Sequence, residues 1–122
     1  MTRINVHLDD VESGFELIPE GPLLVEIQES SKAKKSKEGL PKITWVGEIL
    51  EGEYEGEKYS WDTSLAEAAL WSLKGMLEKI DIEWDEDGFD LEDCFGKQLI
   101  VDNVIGKWKD EDRNYVEGYH RA

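Results

Sequence analysis

The chain has 122 residues, enough for one domain around a single modest core. Its 29 acidic and 14 basic residues leave a net charge of −15, which at long range opposes nucleic acid and anionic membranes. Five Trp, four Tyr and three Phe argue against disorder, the single Cys94 excludes an internal disulfide, and no apolar run or leader pattern points to a membrane or to export.

Residues 1–18 show no sustained period and read as an N-terminal arm, with a short extended piece at Ile4–Leu8. Pro19-Glu20-Gly21-Pro22 is a break, and residues 19–122 read as one domain. Leu23, Val25 and Ile27 then alternate with Glu26 and Gln28, the mark of a half-buried strand. Ser30–Lys42 follows as a loop with five lysines and one glutamate, holding over a third of all basic residues in a strongly acidic chain. Ile43–Leu50 is a second strand, and Gly47 within it predicts a bulge or bend. Glu51–Glu57 is a glycine-rich turn, and Lys58–Thr63 returns as a third strand with Tyr59 and Trp61 on one face.

Ser64-Leu65-Ala66-Glu67 has the form of a capping box. Leu70, Leu73, Leu77 and Ile80 recur at helical spacing, which predicts a helix over Leu65–Ile80 with Trp71 and Met76 beside its apolar stripe. Gly75 inside it suggests close packing there. Asp81–Asp93 carries eight acids in thirteen residues, with Trp84 and Phe89 as its expected anchors. Lys97–Ile105 is a fourth strand, Gly106–Asp112 a loop, and Arg113–His120 a fifth strand.

Three strands, a helix and two strands is the order of the OB-fold, a five-stranded Greek-key barrel that is mainly β with one helix between strands 3 and 4. An open antiparallel sheet with one helix, or another small barrel, are the alternatives. In an OB barrel the face of strands 2 and 3 binds single strands, and loops 1–2 and 4–5 clamp them. Here those loops hold Lys32, Lys34, Lys35, Lys37 and Lys42, and Lys107, Trp108 and Lys109 with Arg113 just beyond. The strands between carry Trp45, Tyr59 and Trp61. Lysines supply point charges for phosphates, and rings supply stacking for bases, without demanding a sequence. Two plainer readings stand beside this one. A lysine-rich loop can be a solvated connection, and Trp45 shares its strand face with Ile43 and Ile49, which argues for burial. The opposing net charge acts less within a Debye length of about 8 Å, so a locally positive groove can bind with strong salt sensitivity.

The acidic segment does not fit a calcium loop. Started at Asp81, the glycine position holds Glu86; started at Glu83, Gly88 fits but the twelfth position is Cys94. It reads as a solvated loop or as a surface for a basic partner. His7 and His120 have no nucleophile motif nearby, and Gly52–Gly56 is too acidic to cradle phosphate. Cys94 reads as a small buried residue. No metal, cofactor or enzymatic activity is expected.

The order and spacing of several pieces resemble a known family. They are Pro19-Glu20-Gly21, Glu51-Gly52-Glu53-Tyr54-Glu55-Gly56, Leu70-Trp71-Ser72-Leu73-Lys74, Gly96-Lys97 and Arg113-Asn114, within a likeness that runs from Phe15 to Tyr119. The family consists of bacteriophage proteins of the replication or recombination gene cluster, uncharacterised or described as single-stranded-DNA-binding proteins of OB type. The resemblance implies coating of single-stranded DNA in the cytoplasm of an infected bacterium, without catalysis. Phage or host replication proteins would be further partners through Asp81–Asp93. A rival expectation is an acidic module of the same fold that mimics DNA or docks a basic replication partner.

Overall fold

The computed structural model describes residue 2, residues 17–35 and residues 39–122, the Trp108 side chain excepted. The piece expected at Ile4–Leu8, and Lys37, lie outside the described residues. The described residues form a mainly β structure with one helix: β1 (Gly21–Ile27), β2 (Lys32–Lys35), β3 (Pro41–Ile49), β4 (Lys58–Ser64), α1 (Leu70–Lys79), β5 (Gln98–Trp108) and β6 (Glu111–Arg121).

Six strands stand where the sequence predicts five, because the first half of the lysine segment is a strand and not a loop. β1 and β2 lie along the same edge of β3. Val25–Ile27 pair with Ile49–Gly47, and Lys32–Lys35 pair with Thr44–Pro41. The chain leaves the ladder between them, and Ser31 repairs the gap. Its buried hydroxyl accepts from the Val46 N–H at 2.9 Å, while the Gln28 N–H donates to the Val46 carbonyl at 2.8 Å. A lysine-rich β2 is tolerated because it is an edge strand, where charge discourages pairing with other chains.

Across the sheet the neighbours run β4, β3, β1 with β2, β5, β6, all antiparallel. The sheet is open: β4 and β6 do not pair, and α1 packs against both. Its Leu73, Met76 and Leu77 close the core over Val25, Ile27, Ile49, Leu99 and Val101.

The helix starts at Leu70 and not at Leu65, after a 3-10 turn at Glu67–Ala69. The expected capping box does not form. Ser64 still belongs to β4, opposite Lys42, and its hydroxyl accepts from the Ala66 N–H at 3.1 Å. At the other end Arg121 of β6 ties down the helix C-terminus, donating to the Glu78 carbonyl at 2.8 Å and pairing with Asp81 at 2.6 Å.

Two glycine expectations are corrected. Gly47 makes no bulge: it pairs regularly with Ile27 and Tyr59. It is small because a Cβ there would lie 2.9 Å from Val25 Cβ and 3.1 Å from the Trp61 ring. Gly75 has open space beside it, so no close packing requires it. The loop expected at Gly106–Asp112 is largely strand. β5 and β6 continue to a two-residue turn, Lys109-Asp110, whose φ values of 49° and 66° match the left-handed turn that suits the twist of a hairpin.

Asn103 falls on the inward face of β5, between core positions, and organises a polar knot. Its Oδ1 accepts from the Tyr59 hydroxyl at 2.7 Å and from Asn114 Nδ2 at 3.0 Å. Its Nδ2 donates to the Ile18 and Pro19 carbonyls at 3.1 and 3.0 Å, and the Ile18 N–H donates to Asn114 Oδ1 at 3.1 Å. The end of the expected arm is therefore docked at Ile18. No helix among the described residues is long and apolar enough to cross a membrane.

Candidate nucleic-acid interface

Strand parity decides which of the predicted residues meet solvent. On β3 and β4 the inward set is Ile43, Trp45, Gly47 and Ile49 with Tyr59, Trp61 and Thr63. The three rings of the expected stacking shelf, Trp45, Tyr59 and Trp61, are thus core residues, with Trp45 fully buried. Trp45 stacks on Trp61 with centroids 6.5 Å apart, and Tyr59 tilts against Trp61 at 6.1 Å. Trp45 Nε1 donates to Thr63 Oγ1 at 2.9 Å, which satisfies one indole inside the core. Among the described residues Trp61 Nε1 has no partner at hydrogen-bond geometry, with the Tyr119 phenol nearby. These rings cannot stack on a base without opening the core.

The outward face of the same strands is polar. Cross-strand registers place Lys32, Thr44 and Asp62 in one row, and Lys34, Lys42 and Ser64 in the next. Lys42 Nζ bonds Asp62 Oδ2 at 2.9 Å, and Thr44 donates to the other oxygen of that carboxylate at 2.7 Å. Lys58 pairs with Glu48 at 3.4 Å in a further row. β2 is exposed along its whole length, and among the described residues no carboxylate lies within ion-pair distance of Lys32, Lys34 or Lys35.

The second expected clamp differs in its electrostatics. Lys107 pairs with Asp112 at 3.1 Å and Arg113 with Glu111 at 3.4 Å, while Lys109 occupies the turn beside Asp110. Three cations meet three carboxylates, so this tip is locally neutral. The Trp108 side chain lies outside the described residues. β1 is antiparallel to both β3 and β5, so the lysine tip leaves the sheet beyond Lys35 and the β5–β6 tip leaves it at the opposite end.

Among the described residues the other titratable groups do not assemble a reactive centre. Burial pushes the Cys94 thiol up to about 12, so it is no nucleophile at neutral pH. Burial raises Tyr59 with a further push from Tyr119, and burial likewise raises Tyr119, opposed by Ser72 and by the nearby Trp61 indole. His120 Nε2 meets Asp102 Oδ2 at 2.7 Å on the open surface. Among the described residues no group of His, Cys, Asp or Glu side chains could hold a metal ion. In the acidic segment Ile82 and Leu91, with Cys94 and Phe95 just beyond it, join Phe89 in holding the loop to the core. Trp84, an expected anchor, is instead 44% exposed beside a 350 Å³ hollow lined by Glu83, Asp85, Asp87, Asp90 and Asp93.

Sequence reasoning missed two features of the surface. Trp71, expected beside the core, is 75% exposed on α1. Tyr115 of β6 is also exposed, and its ring lies over Gly106, where an added Cβ would come within 3.1 Å of two ring carbons. Both were hidden because hydrophobicity alone does not say which member of an aromatic-rich stripe fits inside.

No curated protein matches the chain. Residues 4–81, which take in β1 to β4 and α1, match a family described as a protein of unknown function, DUF669. That match covers well over half of the chain, and the protein belongs to the DUF669 family.

Proposed function

We propose that the protein binds single-stranded DNA without sequence preference, in the replication or recombination of phage DNA, by gripping phosphates along the β2–β3 ribbon. One observation carries this reading: Lys32, Lys34 and Lys35 stand exposed on one strand and have no carboxylate partner among the described residues, in a chain whose net charge is −15. Free ammonium groups in an acidic protein are the groups most available to a phosphate. They act over about 8 Å at physiological salt, a range in which the acidic far side is largely screened. Lysine suits backbone contact because it is a point charge on a flexible stem and imposes no base geometry. The grip is electrostatic, since the rings of β3 and β4 are inside.

We read the sheet as an OB-type barrel with an unclosed seam. The neighbour order β4, β3, β1, β5, β6 supports this, as does a helix that follows β4 and spans the two outermost strands. The function is binding, and no catalytic step is part of it. Titration of fluorescein-labelled oligo-dT, followed by anisotropy at low and moderate salt, tests the proposal. Saturable binding that weakens with salt is expected.

The acidic loop favours a second reading, in which the same fold docks a basic replication protein. The exposed Trp84 amid the carboxylates of Glu83, Asp85 and Asp87 is the observation behind it. Folded protein that ignores oligo-dT at the lowest salt would leave this reading standing in place of the first.

A further inference from the structure

α1 buries Leu73, Met76 and Leu77 against the sheet and leaves a tryptophan outside: Trp71 is 75% exposed, and Leu70 beside it 40%. An indole this open adds no packing to the monomer, and exposed apolar groups of this size mark surfaces that an assembly covers. The charges around it say what covers it. Glu67 lies four residues before Trp71, in the 3-10 entry turn, and Lys74 and Glu78 lie three and seven after it, all exposed. These spacings put them on the helix face of Trp71. With Lys79, segment 67–79 sums to zero in a chain of net −15. Among the described residues the side chains of Glu67, Lys74 and Glu78 are in no ion pair.

A neutral face of alternating sign has no cationic surplus for a phosphate chain and no anionic surplus for a basic protein. It is complementary to itself. A two-fold axis through Trp71 sets an antiparallel copy of the helix against the first, and each Glu67 then comes level with the second copy's Lys74 to within one residue's rise, about 1.5 Å. The same operation sets Ala68 beside the second copy's Gly75. Both are small, and nothing lies within 4 Å of the position a Gly75 Cβ would take, so the two helices can approach closely there.

We propose that the chain forms a two-fold dimer through α1, with the Trp71 indoles of the two copies packed on each other at the axis and Glu67–Lys74 pairs on either side. Aromatic pairs of this kind are the usual anchors of an interface. One helix per chain gives a contact in the weak class, below about 1,200 Å², so dimer and monomer exchange with concentration. The inference does not rest on the single-stranded-DNA reading, and it is compatible with it. α1 covers the inward face of the sheet, whereas Lys32 and Lys34 are in register with Thr44 and Lys42 of the outward face, so pairing leaves both lysine ribbons uncovered.

Sedimentation equilibrium of the full chain, from micromolar to near-millimolar protein, tests this. Physiological salt limits the mutual repulsion of two chains of −15 to about 8 Å. The mass should rise with concentration from 14.0 kDa toward twice that value. Trp71→Ala, checked for fold by circular dichroism, should weaken the dimer about 30-fold or more. Glu67→Lys and Lys74→Glu should each weaken it roughly 2- to 30-fold by breaking two exposed pairs. The double variant Glu67→Lys/Lys74→Glu keeps the net charge of the wild type and should recover the dimer. A wild type that stays monomeric throughout would overturn the proposal and leave Trp71 for a different protein. A dimer that Trp71→Ala leaves at full strength, or that the double variant fails to recover, would overturn it as well, because the copies would then meet through another face.

Discussion

Gly47→Ala is a sharp test of where the β3–β4 rings face. The substitution adds one methyl at an inward position of β3. That carbon would sit 2.9 Å from Val25 Cβ and 3.1 Å from Trp61 Cζ3. Val25 Cβ is the root of a side chain on a paired strand, so it cannot swing away; β1 or the Trp61 ring must shift. Both neighbours are core residues, Val25 at 0% and Trp61 at 6% exposure. Overpacking of this kind costs typically about 1–3 kcal/mol. For a domain of this size each kcal/mol lowers the melting temperature by roughly 3–6 °C. Gly47 lies in ordinary extended backbone, so no strain is relieved to offset the loss. Urea and thermal unfolding monitored by circular dichroism should show a lower midpoint, with altered near-ultraviolet signal from the Trp45–Trp61 stack. An unchanged or raised midpoint would refute the inward placement of Trp61, and would reopen these rings as a surface for bases.

Further outcomes follow from the same structure. Asn103→Ala strands the Tyr59 hydroxyl, frees the Pro19 carbonyl and leaves the Ile18 carbonyl with Asn114 Nδ2 as its remaining donor, and should lower stability by about 1–3 kcal/mol in urea unfolding; proteolysis near Ile18 should increase with it. Cys94 should resist a thiol reagent at pH 8 in the folded protein and react at once in denaturant, because burial holds the thiol near 12. Its proton is held more tightly in the folded state than in the unfolded one. Its contribution to stability is therefore full below the ordinary thiol value of 9.0 and is lost as pH rises from there toward about 12. Chemical unfolding across that alkaline window should show stability falling with pH, and Cys94→Ala should lessen the fall; a fall identical in the variant would contradict this assignment. Arg121→Ala removes an exposed clamp on the α1 C-terminus and should cost less than about 1 kcal/mol.

Much of the frame is readable from alternation alone. Val25 and Ile27, then Tyr59 and Trp61, announce half-buried strands, and Leu73 and Leu77 announce the helix that covers them. What alternation could not settle is which polar-looking stretches also pair. Lys32–Lys35 reads as a loop by composition, yet it forms a strand because β3 extends to Pro41 and offers it an edge. Gly106–Asp112 reads as a loop for the same reason, and the left-handed turn at Lys109-Asp110 shortens it to a tip. The capping box failed because Ser64 was claimed by β4. At the site, the lysines were legible as charge, and so was the balance of three cations and three carboxylates over 107–113; what the structure adds is that Asp112 reaches Lys107 and Glu111 reaches Arg113. Trp45, Tyr59 and Trp61 read as candidate stacking rings in the sequence and Trp71 as a neighbour of the core. Only the inward parity of β3 and β4, and the position of Trp71 at the solvent side of α1, separate core rings from an open one.

The central claim is that the three lysines of β2, which have no carboxylate partner among the described residues, hold a single strand by its phosphates. Affinity for labelled oligo-dT measured across a salt series tests it most directly. Each neutralised phosphate of a single strand contributes about −0.7 to the slope of log K against log salt, so three give about −2. The account predicts binding at low salt with that slope, flattened in the Lys34→Glu/Lys35→Glu variant. Folded wild-type protein that shows no binding at the lowest salt, or an affinity indifferent to salt, would contradict it.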